Sequence, residues 1–143
     1  MPRKTFDLAV TDFAHSIGLL VRRARSAAAS EQLSWTEVAV LRRLAREGPA
    51  TTADLARIQG MRPQSMRPII ATLEQLGMIR RTPHATDGRQ VNIELTPKGI
   101  AAQKSAGEAK QTWIAKGIAE LDPTDREILF AAGEIIKRLA ETP

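Results

Sequence analysis

The sequence predicts a mostly α (α+β) chain: a winged helix-turn-helix with long N- and C-terminal dimerisation helices. Three observations predict it. Between Thr51 and Leu95 a short helix, a four-residue turn, a helix bearing Arg and Gln, and a hairpin bent at Asp87-Gly88-Arg89 follow in order, as a winged helix-turn-helix requires. On both flanks apolar residues recur at helical spacing for longer than so small a centre needs. Six Arg and no Lys lie between Arg57 and Arg89, set against Glu74 and Asp87, so this window holds +4 of the chain's net +5.

The elements follow in chain order. Phe6, Val10, Phe13, Ile17, Leu20, Val21 and Ala24 mark one long helix from about Phe6 to Ala29, interrupted by Gly18. Ser34-Trp35-Thr36-Glu37 is a capping-box pattern. It opens a second helix faced by Val38, Leu41, Leu44 and Ala45, and Gly48-Pro49 stops it. Thr51 or Thr52 caps a short third helix through Ile58, with Thr51 and Asp54 the better fit. Gln59-Gly60-Met61-Arg62 supplies the turn, and Pro63 suits the first position of a fourth helix that buries Ile69, Ile70, Leu73 and Leu76 and ends at Gly77.

Pro68 leaves two paths open for that helix. It is continuous but bent where Pro68 removes a hydrogen bond, the preferred path, or it starts late with Ser65 as its cap. Met78 to Thr82 reads as a strand, and Val91, Ile93 and Leu95 alternate with Asn92 and Glu94 as in a half-buried strand. The connection from Pro83 to Gln90 exceeds a minimal hairpin, so a projecting wing is expected. Thr96-Pro97 and Asp122-Pro123 start two last helices, the final one striped by Ile128, Leu129, Ala132, Ile135, Ile136 and Leu139. The flanking helices read as a mutual two-fold dimer interface, the alternative being a monomeric bundle. Residues 1–32 and 97–143 are assigned to a helical dimerisation domain, and residues 33–96 to a winged helix-turn-helix DNA-binding domain.

Composition narrows the function. The 143 residues suit one domain or two closely joined parts. Cysteine is absent, which excludes disulfides, thiolate metal sites and thiol redox switches. Two distant His make no metal cluster, and the scattered carboxylates form no acid/base pair. The chain is therefore expected to be no enzyme and to need no cofactor or metal. Met1-Pro2-Arg3-Lys4-Thr5 lacks the apolar run of a signal peptide, and no 18-residue apolar stretch exists. A cytoplasmic protein without membrane contact is expected.

Three groups of segments resemble the MarR family of bacterial regulators. They are Leu33-Ser34-Trp35-Thr36-Glu37-Val38-Ala39-Val40-Leu41, Leu73 through Arg81, and Thr86-Asp87-Gly88-Arg89 with Leu95-Thr96-Pro97-Lys98-Gly99. The resemblance spans nearly the whole chain in order. It implies a homodimer that binds a pseudo-palindromic operator in double-stranded DNA, often as a repressor released by a small aromatic or phenolic effector. By the same resemblance Gln64, Ser65 and Arg67 match the exposed start of the recognition helix. Asp87 and Arg89 match the wing motif, in which the Arg enters the minor groove and the Asp holds the loop. The sequence departs from the family at Pro68, where a polar or basic residue is common, and at Gly88, where a second basic residue is common.

Residue chemistry supports the same sites without the family. Arg62 and Arg67 can take phosphate or a guanine edge, Gln64 can pair with adenine, and Ser65 can bond phosphate or cap its helix. Arg89 suits a narrow minor groove, or an ion pair with Asp87 that fixes the loop. Of Arg80 and Arg81, one is expected to anchor phosphate and the other to face solvent; Arg57 is a weaker candidate. His15, Arg22, Arg23, Trp35 and Trp113 are the candidates for an effector pocket that would suit an acidic aromatic compound. Two other functions compete, a nonspecific nucleoid-type DNA binder and a winged-helix protein-interaction module that does not bind DNA.

Overall fold

A computed structural model describes residues 3–143 of the chain. In order they form α1 (Arg3–Ala28), α2 (Trp35–Glu47), β1 (Ala50–Thr51), α3 (Thr52–Ile58), α4 (Pro63–Gln75), β2 (Ile79–Pro83), β3 (Val91–Leu95), α5 (Pro97–Ala119) and α6 (Pro123–Ala140). Each helix expected from the sequence is present, and α1 begins three residues earlier than its apolar pattern suggested. The chain divides into two compact units, residues 1–110 and 111–143, with the boundary inside α5.

Helix starts follow local chemistry. Ser34 Oγ accepts the Glu37 N–H at 3.3 Å, satisfying one of the amides that a helix N-terminus leaves unpaired. The Glu37 carboxylate accepts from the Ser34 hydroxyl (2.9 Å) instead of reaching the Ser34 amide, so the capping box is only half made. Thr51 Oγ1 accepts the Asp54 N–H (3.1 Å), which decides between the two threonines at the start of α3. The Asp54 carboxyl is held below its ordinary range, first by the Thr51 side chain and further by the Arg57 guanidinium.

Pro68 lies inside α4, which runs unbroken from Pro63 with Arg62 as its N-cap. The late start with Ser65 as cap is therefore not adopted. A proline amide would have bonded the carbonyl four residues back, that of Gln64. That carbonyl sits on the exposed first turn, where water can satisfy it.

The core of the first unit explains why these elements meet. Met66, Ile70 and Leu73 fall on one face of α4 and are fully buried with Val40 and Leu41 of α2, Leu55 of α3 and Ile93 of β3. Each such side chain contributes about 1.5–3 kcal/mol on removal from water. A three-stranded antiparallel sheet of order β1-β3-β2 lies beside the helices. Its register pairs Ala50 with Ile93, and Arg80 with Glu94. β1 has two residues and no pattern of its own; the ladder to β3 defines it. Val91, expected inside, is 44% exposed, because it pairs with Pro83 at the wing end of the ladder.

The second unit holds the end of α5 and all of α6. Asp122 caps α6 by accepting the N–H groups of Thr124 (2.9 Å) and Asp125 (3.1 Å). Arg126 donates back to the carbonyls of Ala119 and Leu121, at 3.1 Å each. Much of the α6 stripe is open to solvent: Ile128, Ile135 and Leu139 are 57–61% exposed, Ala132 and Ile136 are half-buried, and Phe130, on the opposite face, is exposed as well. Phe6, Leu8, Val10 and Phe13 of α1 are likewise exposed. Among the described residues, no helix is long and apolar enough to cross a membrane.

Candidate nucleic-acid interface

The turn between α3 and α4 sets the interface. Gly60 takes φ 65°, a left-handed conformation that suits glycine. The Met61 N–H then reaches the Ala56 carbonyl at 2.8 Å and closes the turn. α4 leaves with its apolar edge committed to the core and its other side in solvent. Gln64, Ser65 and Arg67 are exposed on that side. Gln64, Arg67, Pro68 and Ala71 stand at i, i+3, i+4 and i+7, which places them on one helix face. A proline there supplies a flat apolar surface and no donor.

Ion pairing separates the arginines between Arg57 and Arg89 into two groups. Arg57 binds Asp54 (2.8 Å), Arg80 binds Glu94 across the β2–β3 ladder, and Arg81 binds Glu74 (3.2 Å) at the end of α4. Among the described residues, Arg62, Arg67 and Arg89 have no carboxylate or hydrogen-bond partner for their guanidinium groups, and all three are exposed. They lie on the turn, the recognition helix and the wing. Arg80 and Arg81 are both paired and both exposed. Exposed pairs of this kind are weak, so they bias these side chains without locking them.

The wing is built by side chain to backbone bonds. The Asp87 carboxylate accepts the Arg89 N–H (3.0 Å), and its carbonyl accepts the Gln90 N–H (3.0 Å). Asp87 therefore holds Arg89 by its backbone, an Asx turn, and leaves the guanidinium out of that bond. The His84 backbone N–H donates to the Gln90 carbonyl (3.2 Å), and the ring Nδ1 lies 3.2 Å from the Thr86 nitrogen and 3.0 Å from the Asp87 nitrogen. His84 was not among the expected site residues. Its position in the loop was visible in the sequence, but its bonds were not.

The proposed effector residues do not all gather. Trp35 lines a cleft of about 160 Å³ with Ala28, Val38, Arg42, Gln103, Ala106, Gly107 and Lys110, and the Arg25 guanidinium lies 5.2 Å from the Trp35 ring centre. His15, Arg22 and Arg23 are exposed on α1 and do not line it, while Trp113 belongs to the second unit. Arg42 and Lys110 were missed, since they lie 68 positions apart and α2 and α5 bring them together. Burial, and secondarily the Arg42 guanidinium, hold the Lys110 ammonium below its ordinary range. A cleft lined by two cations and an indole can take an aromatic anion.

Comparison with known proteins agrees with this fold. The family model described as the MarR family matches residues 33–91. An uncharacterized HTH-type transcriptional regulator of Mycobacterium bovis is 34% identical over 131 residues, 92% of each chain. An HTH-type transcriptional repressor of the same organism is 31% identical over 79% of this chain and 83% of its own. A candidate transcriptional regulator from Pseudomonas aeruginosa, known as a crystal structure, superposes with a TM-score of 0.83 at 25% identity over 99% of both chains. A MarR family protein from Bacillus stearothermophilus shares the fold, with a TM-score of 0.77 at 16% identity over 99% of both chains.

Proposed function

The chain belongs to the MarR family of transcriptional regulators, and from that premise we propose that it is a homodimeric repressor of a pseudo-palindromic operator, released by a small aromatic or phenolic effector. The observation that carries the DNA reading is the sorting of the arginines: three are paired, and the three without partners occupy turn, recognition helix and wing. In this reading Arg67 and Gln64 meet base edges in the major groove, Arg62 and Ser65 meet phosphate, and Arg89 enters the minor groove. Arg80 and Arg81 exchange their weak pairs for phosphate where the backbone passes. Asp87 is repelled by phosphate and serves by shaping the loop.

Residues 33–96 are taken as the DNA-binding domain and the flanking helices, 1–32 and 97–143, as the dimerising part. Exposed Phe6, Val10 and Phe13 on α1 and Ile128, Ile135 and Leu139 on α6 support a second copy as their cover, since bare stripes of this kind are rare on monomers. A dimer would set its two recognition helices about one DNA repeat, roughly 34 Å, apart. A ligand between α2 and α5, in the cleft of Trp35, Arg42 and Lys110, would bias that spacing and so operator fit. A repressor among the mycobacterial relatives supports the sign. The protein would act in the cytoplasm, as a binder rather than an enzyme.

Selection of bound sequences from a random DNA pool, followed by competition against bulk DNA, tests the proposal. A two-fold motif bound about a thousandfold more tightly than competitor is expected. With about six phosphates neutralised, log affinity would fall with log salt at a slope near five. Binding indifferent to sequence would make the protein a nonspecific DNA binder, and no binding would leave a protein-interaction module.

A further inference from the structure

We propose that His84 is a positioning residue of the wing, acting as a hydrogen-bond acceptor that requires a neutral ring, so that protonating it disengages Arg89 and weakens DNA binding. The inference rests on the reading of the wing as a DNA contact. Two backbone N–H groups, those of Thr86 and Asp87, point at one ring nitrogen of His84, at 3.2 and 3.0 Å. The Thr86 hydroxyl stands 3.4 Å from the same atom. A backbone amide can only donate, so Nδ1 must present its lone pair, and the ring proton belongs on Nε2. The donors thus decide a tautomer that geometry alone leaves open.

The consequence runs along the loop. The ring fixes the Asp87 amide, the Asp87 carboxylate fixes the Arg89 amide (3.0 Å), and the Asp87 carbonyl fixes Gln90 (3.0 Å). Adding a proton to Nδ1 replaces the acceptor with a donor facing two donors, and the first link of that series breaks. The charged groups on the wing and its two strands are Arg80, Arg81, Asp87, Arg89 and Glu94. Arg80 is paired with Glu94 and Arg81 with Glu74, and the Asp87 carboxylate is engaged by the Arg89 N–H. None of them replaces the lone pair that Thr86 and Asp87 need.

The sign separates this role from a plain phosphate contact. An imidazolium touching DNA would strengthen binding as pH falls, whereas an acceptor in the loop weakens it. Histidine is the side chain whose ordinary charge change falls between pH 5 and 8, and the chain has two, His15 and His84. The test measures affinity of the full-length protein for its selected DNA site at pH 7.5 and 5.5, at fixed salt, for the parent and for His84→Asn, His84→Ala and His15→Asn. An Asn amide oxygen can stand in for Nδ1 and does not titrate.

We expect the parent and His15→Asn to lose about tenfold in affinity on acidification. His84→Asn should bind near the parent level at pH 7.5 and stay flat, and His84→Ala should be weak at both values. On the free protein, imidazole nitrogen shifts should report Nε2–H at pH 7.5, and the Arg89 amide shift should differ between pH 7.5 and 5.5 in the parent and not in His84→Asn. Tighter binding at pH 5.5, an undiminished fall in His84→Asn, parent-like binding by His84→Ala, or a Nδ1–H ring would overturn the inference. DNA binding absent at every pH, with Nε2–H intact, would instead overturn the DNA reading of the wing.

Discussion

The Thr96 hydroxyl donates to the Gly77 carbonyl at 2.5 Å, nineteen residues away, and ties the end of the recognition helix to the start of α5. The same hydroxyl oxygen accepts the Gly99 N–H (3.2 Å), and the Thr96 N–H bonds the Met78 carbonyl (3.1 Å). The left-handed Gly77 (φ 74°) that ends α4 is therefore clamped by the element that follows the wing.

Gly99 makes the clamp possible. A β-carbon there would lie 1.9 Å from the Met78 carbonyl oxygen, a backbone atom that cannot step aside. Gly99→Ala should cost about 1–3 kcal/mol or more, read as a lower urea midpoint. An unchanged midpoint would show that the approach is not tight.

Arg89 and Asp87 should fail differently. Arg89→Ala should weaken binding to the selected DNA site by about 1–3 kcal/mol and lower the salt slope by about one, since a guanidinium in the minor groove also displaces condensed cations. Asp87→Ala removes a negative charge near DNA, which by itself favours binding. A net loss, with little change in slope, would identify it as the loop's support; tighter binding would deny it that role.

Pairing should rank the remaining arginines. Arg67→Ala should cost about 1–3 kcal/mol and relax base preference at one position of each half-site. Arg57→Ala, which breaks an exposed pair with Asp54, should change affinity by no more than about 0.5 kcal/mol. Equal losses from the two would erase the distinction drawn between free and paired side chains.

Asp122 carries an acid-sensitive cap. Its carboxyl is held below the ordinary range, first by the Asp125 backbone N–H. The folded value is depressed, so the cap's contribution is complete above the ordinary carboxylate range and is lost as pH falls through the folded value. Asp122→Asn keeps an acceptor that cannot titrate. Thermal melts between pH 6 and 2.5 should show a smaller acid loss in this variant than in the parent, and parallel curves would count against the cap.

Lys110 lines the cleft proposed for an effector. Its ammonium is disfavoured by burial and by Arg42, so in the alkaline window between its folded and ordinary values the unfolded chain binds more protons and stability rises with pH. Lys110→Met should flatten that rise. It should also weaken binding of a simple aromatic carboxylate such as benzoate about tenfold, followed by tryptophan fluorescence in a Trp113→Phe background that leaves Trp35 as the emitter. Undiminished benzoate binding would place the ligand elsewhere.

Much of the candidate site was legible because recognition helix and wing are defined by neighbours in sequence. Exposed Gln64, Ser65 and Arg67 follow from where Ile70 and Leu73 bury their face, to which the structure adds Met66, and Asp87-Gly88 is a turn signal in its own right. The pairing of Arg81 with Glu74 and of Arg80 with Glu94 was not legible, since it depends on the register of strands and the end of α4. The role of His84 was not legible either, because it acts as an acceptor only after the loop has closed.

By itself the sequence determined helix boundaries, caps and the hairpin: Ser34, Thr51 and Asp122 each act on amides two or three residues away. Tertiary structure decided what distant parts of the chain create together. That includes the strand Ala50–Thr51, present only through β3, the tight seat of Gly99 on Met78, and the meeting of Arg42 with Lys110. The reason is range: capping and periodicity act within a turn or two of chain, whereas pairing, register and clefts depend on which distant surfaces the buried core brings together.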